Sequence, residues 1–320
     1  MKKITALLLA LFMLVGALAG CGKQNDTNQT DKLRIVTTIF PEYDWVREIL
    51  GDKADNAEIT MLLDNGVDLH SYQPTADDIV KISDCNLFIY VGGESDEWVE
   101  DALRNAANRN MKVINLLEVL GDSVKTEEIV EGMQEEEHEH EEETDEHVWL
   151  SLKNAKMLVR VISKTLQELD PDNKDIYAAN ADAYVKKLSA LDAEYQAAVD
   201  AASNKTILFG DRFPFRYLVD DYGLRYYAAF VGCSAETEAG FETISFLAKR
   251  VDEWKLPCVL TIEGARHKIA ETIVRNTTAK NQRVLTMDSM QSTTSKDVKN
   301  GTTYLSVMEK NLSVLKEALR

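Results

Sequence analysis

Five histidines occur in 320 residues, and His138, His140 and His147 crowd into one stretch, residues 131–147 (EGMQEEEHEHEEETDEH), with ten acidic residues and no basic one. So acidic a run has too little apolar surface to form a core, and it reads as a solvated loop. Solvation alone does not call for histidine. Imidazoles set among carboxylates are the donors that hold divalent metal, so His138 and His140 are read as a shallow, flexible capture site, with a merely solvating tract as the alternative. His147 differs from its neighbours, because Val148-Trp149-Leu150 follows at once and Ser151 then caps a helix. An imidazole at the edge of an apolar wall suits rigid coordination.

His70 sits in GVDLHSYQPTADDI, a Gly- and Pro-bounded loop that leaves a strand and enters a helix capped at Thr75. Loops at the carboxyl ends of parallel strands are where α/β sheets bind ligands. One loop histidine alone is more often structural; paired with His147 in an acidic chain, it reads as a ligand. The same strand-end rule selects Asp211, Glu263 and Asp288 later in the chain, each of which either completes a nitrogen and oxygen shell with the histidines or caps the next helix. His267, in Ala265-Arg266-His267-Lys268, reads as solvated on a charged helical face. Cys258 falls within a strand, so a soft thiolate site for Cu(I) is not expected. Cys233 and Cys258 can form a disulfide in an oxidising compartment, and Cys85 reads as a small buried hydrophobe. No HExxH helix or nucleophile elbow accompanies the histidines.

Short β-branched runs at 33–39, 58–62, 86–91 and 112–115 alternate with helical patterns at 42–50, 75–83 and 96–107. A second series places strands at 206–209, 225–230, 258–262 and 283–286 and helices at 212–222, 239–254, 265–278 and 302–319. Between them Asp170-Pro171 opens about thirty residues without a strand signal, in which Tyr177, Tyr184, Leu188, Leu191, Tyr195 and Ala198 mark one helical face. The expected fold is α/β: two Rossmann-like βα lobes, 32–169 and 204–320, joined by one long helix at 170–203, with a metal site in the cleft between them.

The formal charge of −18, from 54 acidic against 36 basic residues, has the wrong sign for binding phosphate backbones, so no nucleic-acid partner is expected. Lys2 and Lys3 before an apolar run to Leu18 read as an export signal over residues 1–20, with a retained helical anchor as the alternative. Leu18-Ala19-Gly20-Cys21 resembles the bacterial lipoprotein box, which implies lipid on Cys21, attachment to the outer face of the cell membrane, and a tether at 21–31.

Ile35-Val36-Thr37-Thr38-Ile39-Phe40-Pro41, Asp68-Leu69-His70-Ser71-Tyr72-Gln73-Pro74-Thr75, His147-Val148-Trp149-Leu150-Ser151 and the Asp170-Pro171 helix start with Tyr177 and Asn180 carry a family resemblance across residues 33–320. The chain resembles the substrate-binding lipoproteins of zinc/manganese ABC importers, which have a long helical backbone. That resemblance implies metal ligands at His70 and His147 and a third at Asp288, which follows Leu285-Thr286-Met287; a His-rich acidic loop favours zinc over manganese. It also implies an ABC permease with its ATPase as partners, a monomer, and no enzymatic activity. The family places another ligand at the start of the second lobe, before a pair of aromatic residues two apart. Phe215 and Tyr217 fit that pair and put Arg212 at the ligand position, where a guanidinium cannot coordinate. Asp211 is the nearest usable oxygen, chosen on chemistry and not by motif. A zinc-dependent hydrolase and a surface adhesin or zinc scavenger are the alternatives.

Overall fold

The alternation of strand and helix folds into two sets of parallel strands in the computed structural model, which describes residues 32–134, 143–234, 238–264 and 267–320. The export segment, Cys21, the tether, His138 and His140 lie outside the described residues. In the first lobe β1 (Leu33–Thr37), β2 (Ala57–Met61), β3 (Leu87–Tyr90) and β4 (Lys112–Asn115) form a parallel sheet in the order β2-β1-β3-β4. Leu87, Phe88 and Ile89 of β3 are fully buried, because helices cover a parallel sheet on both faces. The helices are α1 (Phe40–Leu50), α2 (Ala76–Asp84), α3 (Trp98–Arg104) and α4 (Leu116–Leu120). α2 begins where expected: the Thr75 hydroxyl accepts from Asp78 N, and the Asp78 carboxylate accepts from Thr75 N.

Two long helices follow, α5 (Leu152–Leu169) and α6 (Lys174–Ala201). The Ser151 hydroxyl caps α5 by accepting from Asn154 N. Pro171–Asn173 form a single 3-10 turn, so α6 starts slightly later than the sequence suggests and runs ~42 Å at 1.5 Å per residue. Its buried face follows the expected tyrosines and leucines and ends on Val199, with Ala198 only half-buried. The helix is tied to both lobes: Asn180 Nδ2 donates to Ile49 O, Tyr222 OH to Asp192 Oδ1, and Tyr195 OH to Met308 O.

The second lobe contains β5 (Thr206–Leu208), β6 (Arg212–Phe213), α7 (Arg216–Tyr222), β7 (Arg225–Tyr227), β8 (Phe230–Val231), α8 (Phe241–Glu253), β9 (Cys258–Thr261), α9 (Lys268–Asn276), β10 (Arg283–Thr286), α10 (Ser295–Lys299) and α11 (Tyr304–Ala318). Its strands pair in parallel as β5 with β7, β6 with β8 and β9 with β10, and a bridge from Phe209 to Leu260 links the first and last pairs. The sequence suggests one strand at 225–230 and a helix from 212. Instead Ala229 N donates to Asp211 O, and the chain pairs twice, as β7 and then as β8, so the segment after β8 is carried to the cleft. α11 crosses back to the first lobe: Tyr304 N donates to the Asp44 carboxylate and its ring meets Trp45 edge-on at 5.2 Å. One buried apolar cluster consequently runs from Ile35 through α6 to Leu319, with a smaller one around Leu208, Phe230, Leu247 and Val259, and Leu33–Arg320 form one compact unit.

Candidate metal centre

His70 lies in a 3-10 turn, Leu69–Ser71, that Asp68 caps by accepting from His70 N at 3.1 Å. His147 is fully buried and stands just before the turn Val148–Leu150. The two rings come together from residues 77 apart in the chain, with Nε2 of one 3.2 Å from Nε2 of the other. Hydrogen bonding on the far side of each ring decides what these atoms offer. His147 Nδ1 is 3.0 Å from Asp145 Oδ1, and a carboxylate only accepts, so the proton sits on Nδ1 and Nε2 carries a lone pair. His70 Nδ1 is 2.8 Å from Ser95 Oγ and 3.4 Å from the Glu146 carboxylate, which orients that ring in the same sense. With the Nδ1 proton of His70 turned toward Ser95 and Glu146, both Nε2 atoms present lone pairs to one point, an arrangement that a bound cation completes. Two nitrogens bound to one tetrahedral zinc at ~2.05 Å lie ~3.3 Å apart, close to the separation seen here.

The electrostatics differ at the two rings. Burial opposes charge on His147, but Asp145, Glu127 and Glu146 outweigh it and hold the imidazole above its usual range. Burial and the neighbouring His147 push His70 down to about 3, against the pull of Asp68. Burial raises the Glu146 carboxyl as well. Asp145 and Glu146 are both buried, which corrects the expectation that the whole tract 131–147 is solvated: its last acids hold the histidines, while Met133 packs inside and Glu131 pairs with Arg250. Lys125 O accepts from Asp145 N and Glu127 N donates to Glu143 O, so the end of the tract is sewn to the segment that precedes it. Gly93 belongs to the same support. It holds φ at +84°, and a Cβ there would lie 2.3 Å from Glu146 Oε1.

Among the described residues one group offers three metal-binding side chains, namely His70, His147 and Cys233, whose donor atoms all lie within 4.8 Å of one another. Cys233 follows β8 and is half-buried, and its thiol is free, as are those of Cys85 and Cys258. No disulfide joins Cys233 to Cys258, a pairing that the sequence left open, and a cysteine stands at the histidines, against the expectation that none would. The sequence carries a signal for this position, since Gly232-Cys233 directly follows a strand and the strand-end rule applies to it as well. Gly232 packs against the His147 ring so closely that a Cβ would lie 3.0 Å from Cε1. Cys85 is buried with its sulfur 3.3 Å from that of Met111, as a small hydrophobe.

The carboxylates selected in the second lobe stand outside this group. Asp211 accepts from Arg212 N at 2.9 Å and from Thr261 Oγ1 at 2.5 Å, which locks the turn after β5 to the end of β9. Glu263 accepts from Ser289 N and Oγ, both at 2.7 Å, and from Gln291 N. Asp288 accepts from Met290 N at 2.8 Å, and burial together with Glu263 raises its carboxyl to about 6. His267 precedes α9 rather than lying on its face, with Nδ1 3.1 Å from Thr261 Oγ1. Arg212 has a role that the sequence hid: Nη2 donates to Asp68 Oδ2 at 2.8 Å and Nη1 to Ser234 O at 3.3 Å, so one guanidinium ties the His70 turn to the Cys233 turn. A cavity of about 240 Å³ opens over His70 and Cys233, lined also by Glu94, Ser95, Glu143 and Glu146.

Two parallel-stranded lobes on a shared helix, with histidines converging beneath an acidic mouth, have the architecture of the two-lobed solute-binding class, with donor atoms of a kind that hold a cation. Residues 35–318 match the model of ZnuA, the periplasmic component A of a zinc-uptake complex. This chain belongs to the ZnuA family. It is 33% identical to the zinc-binding lipoprotein AdcA of Streptococcus pneumoniae over 99% of its own length and 61% of that protein's. Its identity to the high-affinity zinc uptake system protein ZnuA of Bacillus subtilis is 30%, over 97% of this chain and 95% of that one. The Zn(II)-bound ZnuA-like domain of pneumococcal AdcA superposes with a TM-score of 0.71 at 30% identity, covering 90% of this chain and 99% of the domain. The metal-dependent lipoprotein YcdH of Bacillus subtilis gives 0.73 at 27% identity, covering 90% and 99%.

Proposed function

We propose that this chain captures Zn²⁺ outside the cytoplasm, at His70 and His147, and passes it to a membrane permease driven by an ATPase, as the binding component of an ABC importer and without catalytic turnover. Lipid on Cys21 holds it at the membrane, and His138 and His140 deliver ions to the cleft from the acidic loop. The observation that carries this reading is the pair of imidazole lone pairs converging at 3.2 Å, each fixed from behind by an acidic or hydroxyl group. Neutral imidazoles suit zinc, and Mn²⁺ prefers oxygen donors. The zinc-uptake family and its zinc-binding relatives support the same choice.

His70→Ala and His147→Ala each remove one donor and are expected to weaken zinc binding ~100-fold or more, about 3 kcal/mol, in a competition titration against a coloured chelator. The fold survives, because both residues lie outside the helices and strands. Asp288→Ala is expected to lower affinity less than either, since its carboxylate is not in the group of donors that lie within 4.8 Å of one another. Unchanged zinc affinity in the His70→Ala, His147→Ala double variant overturns the assignment.

A further inference from the structure

We propose that Cys233 is the third inner-sphere donor for the captured ion, and that its thiolate sets the preference of the site for zinc over manganese. This rests on the reading that His70 and His147 bind the metal, and it adds what that reading lacks, a donor from the second lobe. Both histidines belong to the first lobe. Arg212 cannot coordinate, and Asp211 is engaged by Thr261 and its own neighbouring amide. Among the described residues, Cys233 Sγ is the second-lobe atom that joins the two imidazoles in one group within 4.8 Å. Bond lengths of ~2.05 Å to nitrogen and ~2.3 Å to sulfur place the donors of a tetrahedral zinc ~3.3 to ~3.6 Å apart, so small adjustments of the turn close the shell.

The turn that carries the thiol is fixed in several ways. Cys233 N donates to Glu127 Oε1 at 2.8 Å, Arg212 holds Ser234 O, and Gly232 lets the backbone lie against the His147 ring. The thiol lies close to the Glu127 carboxylate, whose Oε1 accepts from the Cys233 backbone N, and it borders the same cavity as His70. On binding, the S–H bond breaks and a Zn–S bond forms. The proton leaves through Glu127 to water, and no oxidant or reductant is involved. Two neutral imidazoles and one thiolate make a softer donor set than the nitrogen and oxygen shell expected from the sequence. Thiolate donors favour zinc and discriminate against Mn²⁺, which takes oxygen ligands.

Cobalt(II) loaded into the full-length protein reports sulfur ligation directly, through an intense near-ultraviolet sulfur-to-metal charge-transfer band. The wild-type protein is expected to bind one Co²⁺ with this band. Cys233→Ser is expected to lose it while keeping the visible ligand-field bands of the histidine site, to bind zinc ~10–100-fold more weakly, and to show a smaller ratio of zinc to manganese affinity. Zinc is further expected to protect Cys233 from alkylation by iodoacetamide in wild type but not in His147→Ala, read by peptide mass spectrometry. Stoichiometric Co²⁺ without the charge-transfer band, or alkylation of Cys233 unaffected by zinc, overturns the thiolate donor and leaves histidine capture standing. If no Co²⁺ or Zn²⁺ binds stoichiometrically to wild type, capture at the histidines falls and the proposal falls with it.

Discussion

A buried imidazole binds metal only if its proton is kept on the other nitrogen, and Asp145 does this for His147 by accepting at Nδ1 from 3.0 Å. Asp145→Asn keeps the shape but lets an amide N–H face Nδ1, which favours the wrong tautomer. Zinc affinity is expected to fall ~10–100-fold with the melting temperature of the metal-free protein nearly unchanged, as checked by competition titration and calorimetry. A second buried acid acts on stability instead. Glu42 Oε2 accepts from Thr38 N at 2.8 Å and from Ile39 N at 3.3 Å at the start of α1, and burial, with Asp96 nearby, raises its carboxyl to about 8 from 4.5. Between those values the native state keeps a proton that the unfolded chain has lost. The stability Glu42 contributes is therefore fully present below about pH 4.5 and lost as pH rises through about 8. Glu42→Gln is expected to remove a slope of up to ~1.4 kcal/mol per pH unit across that window. Urea midpoints of both proteins in chelator at several pH values test this, and parallel curves would refute it.

At the scale of elements, the acidic tract divides into parts with different work. Its ends are structural: Gln134 N donates to Ala229 O, Gln134 Oε1 accepts from Gly240 N, and Asp145 and Glu146 back the histidines. Deleting the whole of 131–146 would remove these contacts, so the informative deletion is 135–142, which contains His138 and His140. That variant is expected to keep the tight zinc site, whose donors lie outside the deletion, and to lose weak, fast-exchanging sites in a calorimetric titration. Its association rate with zinc is expected to fall at low ionic strength and to approach wild type as salt shortens the Debye length to ~8 Å. Loss of the tight site on this deletion would show that a loop histidine belongs to the cleft.

For the molecule as a whole, the continuous cluster from Ile35 through α6 to Leu319 makes the lobes one cooperative structure rather than two bodies on a hinge. A single thermal transition is expected in the metal-free protein. Zinc should raise its midpoint by mass action, reaching ~4 kcal/mol of stabilisation when free zinc is a thousand times Kd. Two resolved transitions, with only one shifted by zinc, would contradict the shared core.

Periodicity and chemistry already contain much of this protein. The alternating elements, the caps at Thr75 and Ser151, the buried face of α6 and the loop positions of His70 and His147 are all legible in order along the chain, because each depends on neighbours within a few residues. What lies near what across long separations is not local, and the fold alone decides it. The sequence places His70 and His147 on loops without showing that their Nε2 atoms meet. It presents Arg212 as a defect in the site, and only packing shows the guanidinium clasping the turns of His70 and Cys233. It leaves open whether Cys233 pairs with Cys258, whereas the split of one expected strand into β7 and β8 carries Cys233 to the histidines and leaves Cys258 buried in β9. Glu146 reads as solvent-facing for the same reason: its partners, His70 and Ser95, lie tens of residues away, and burial with those partners overrides composition.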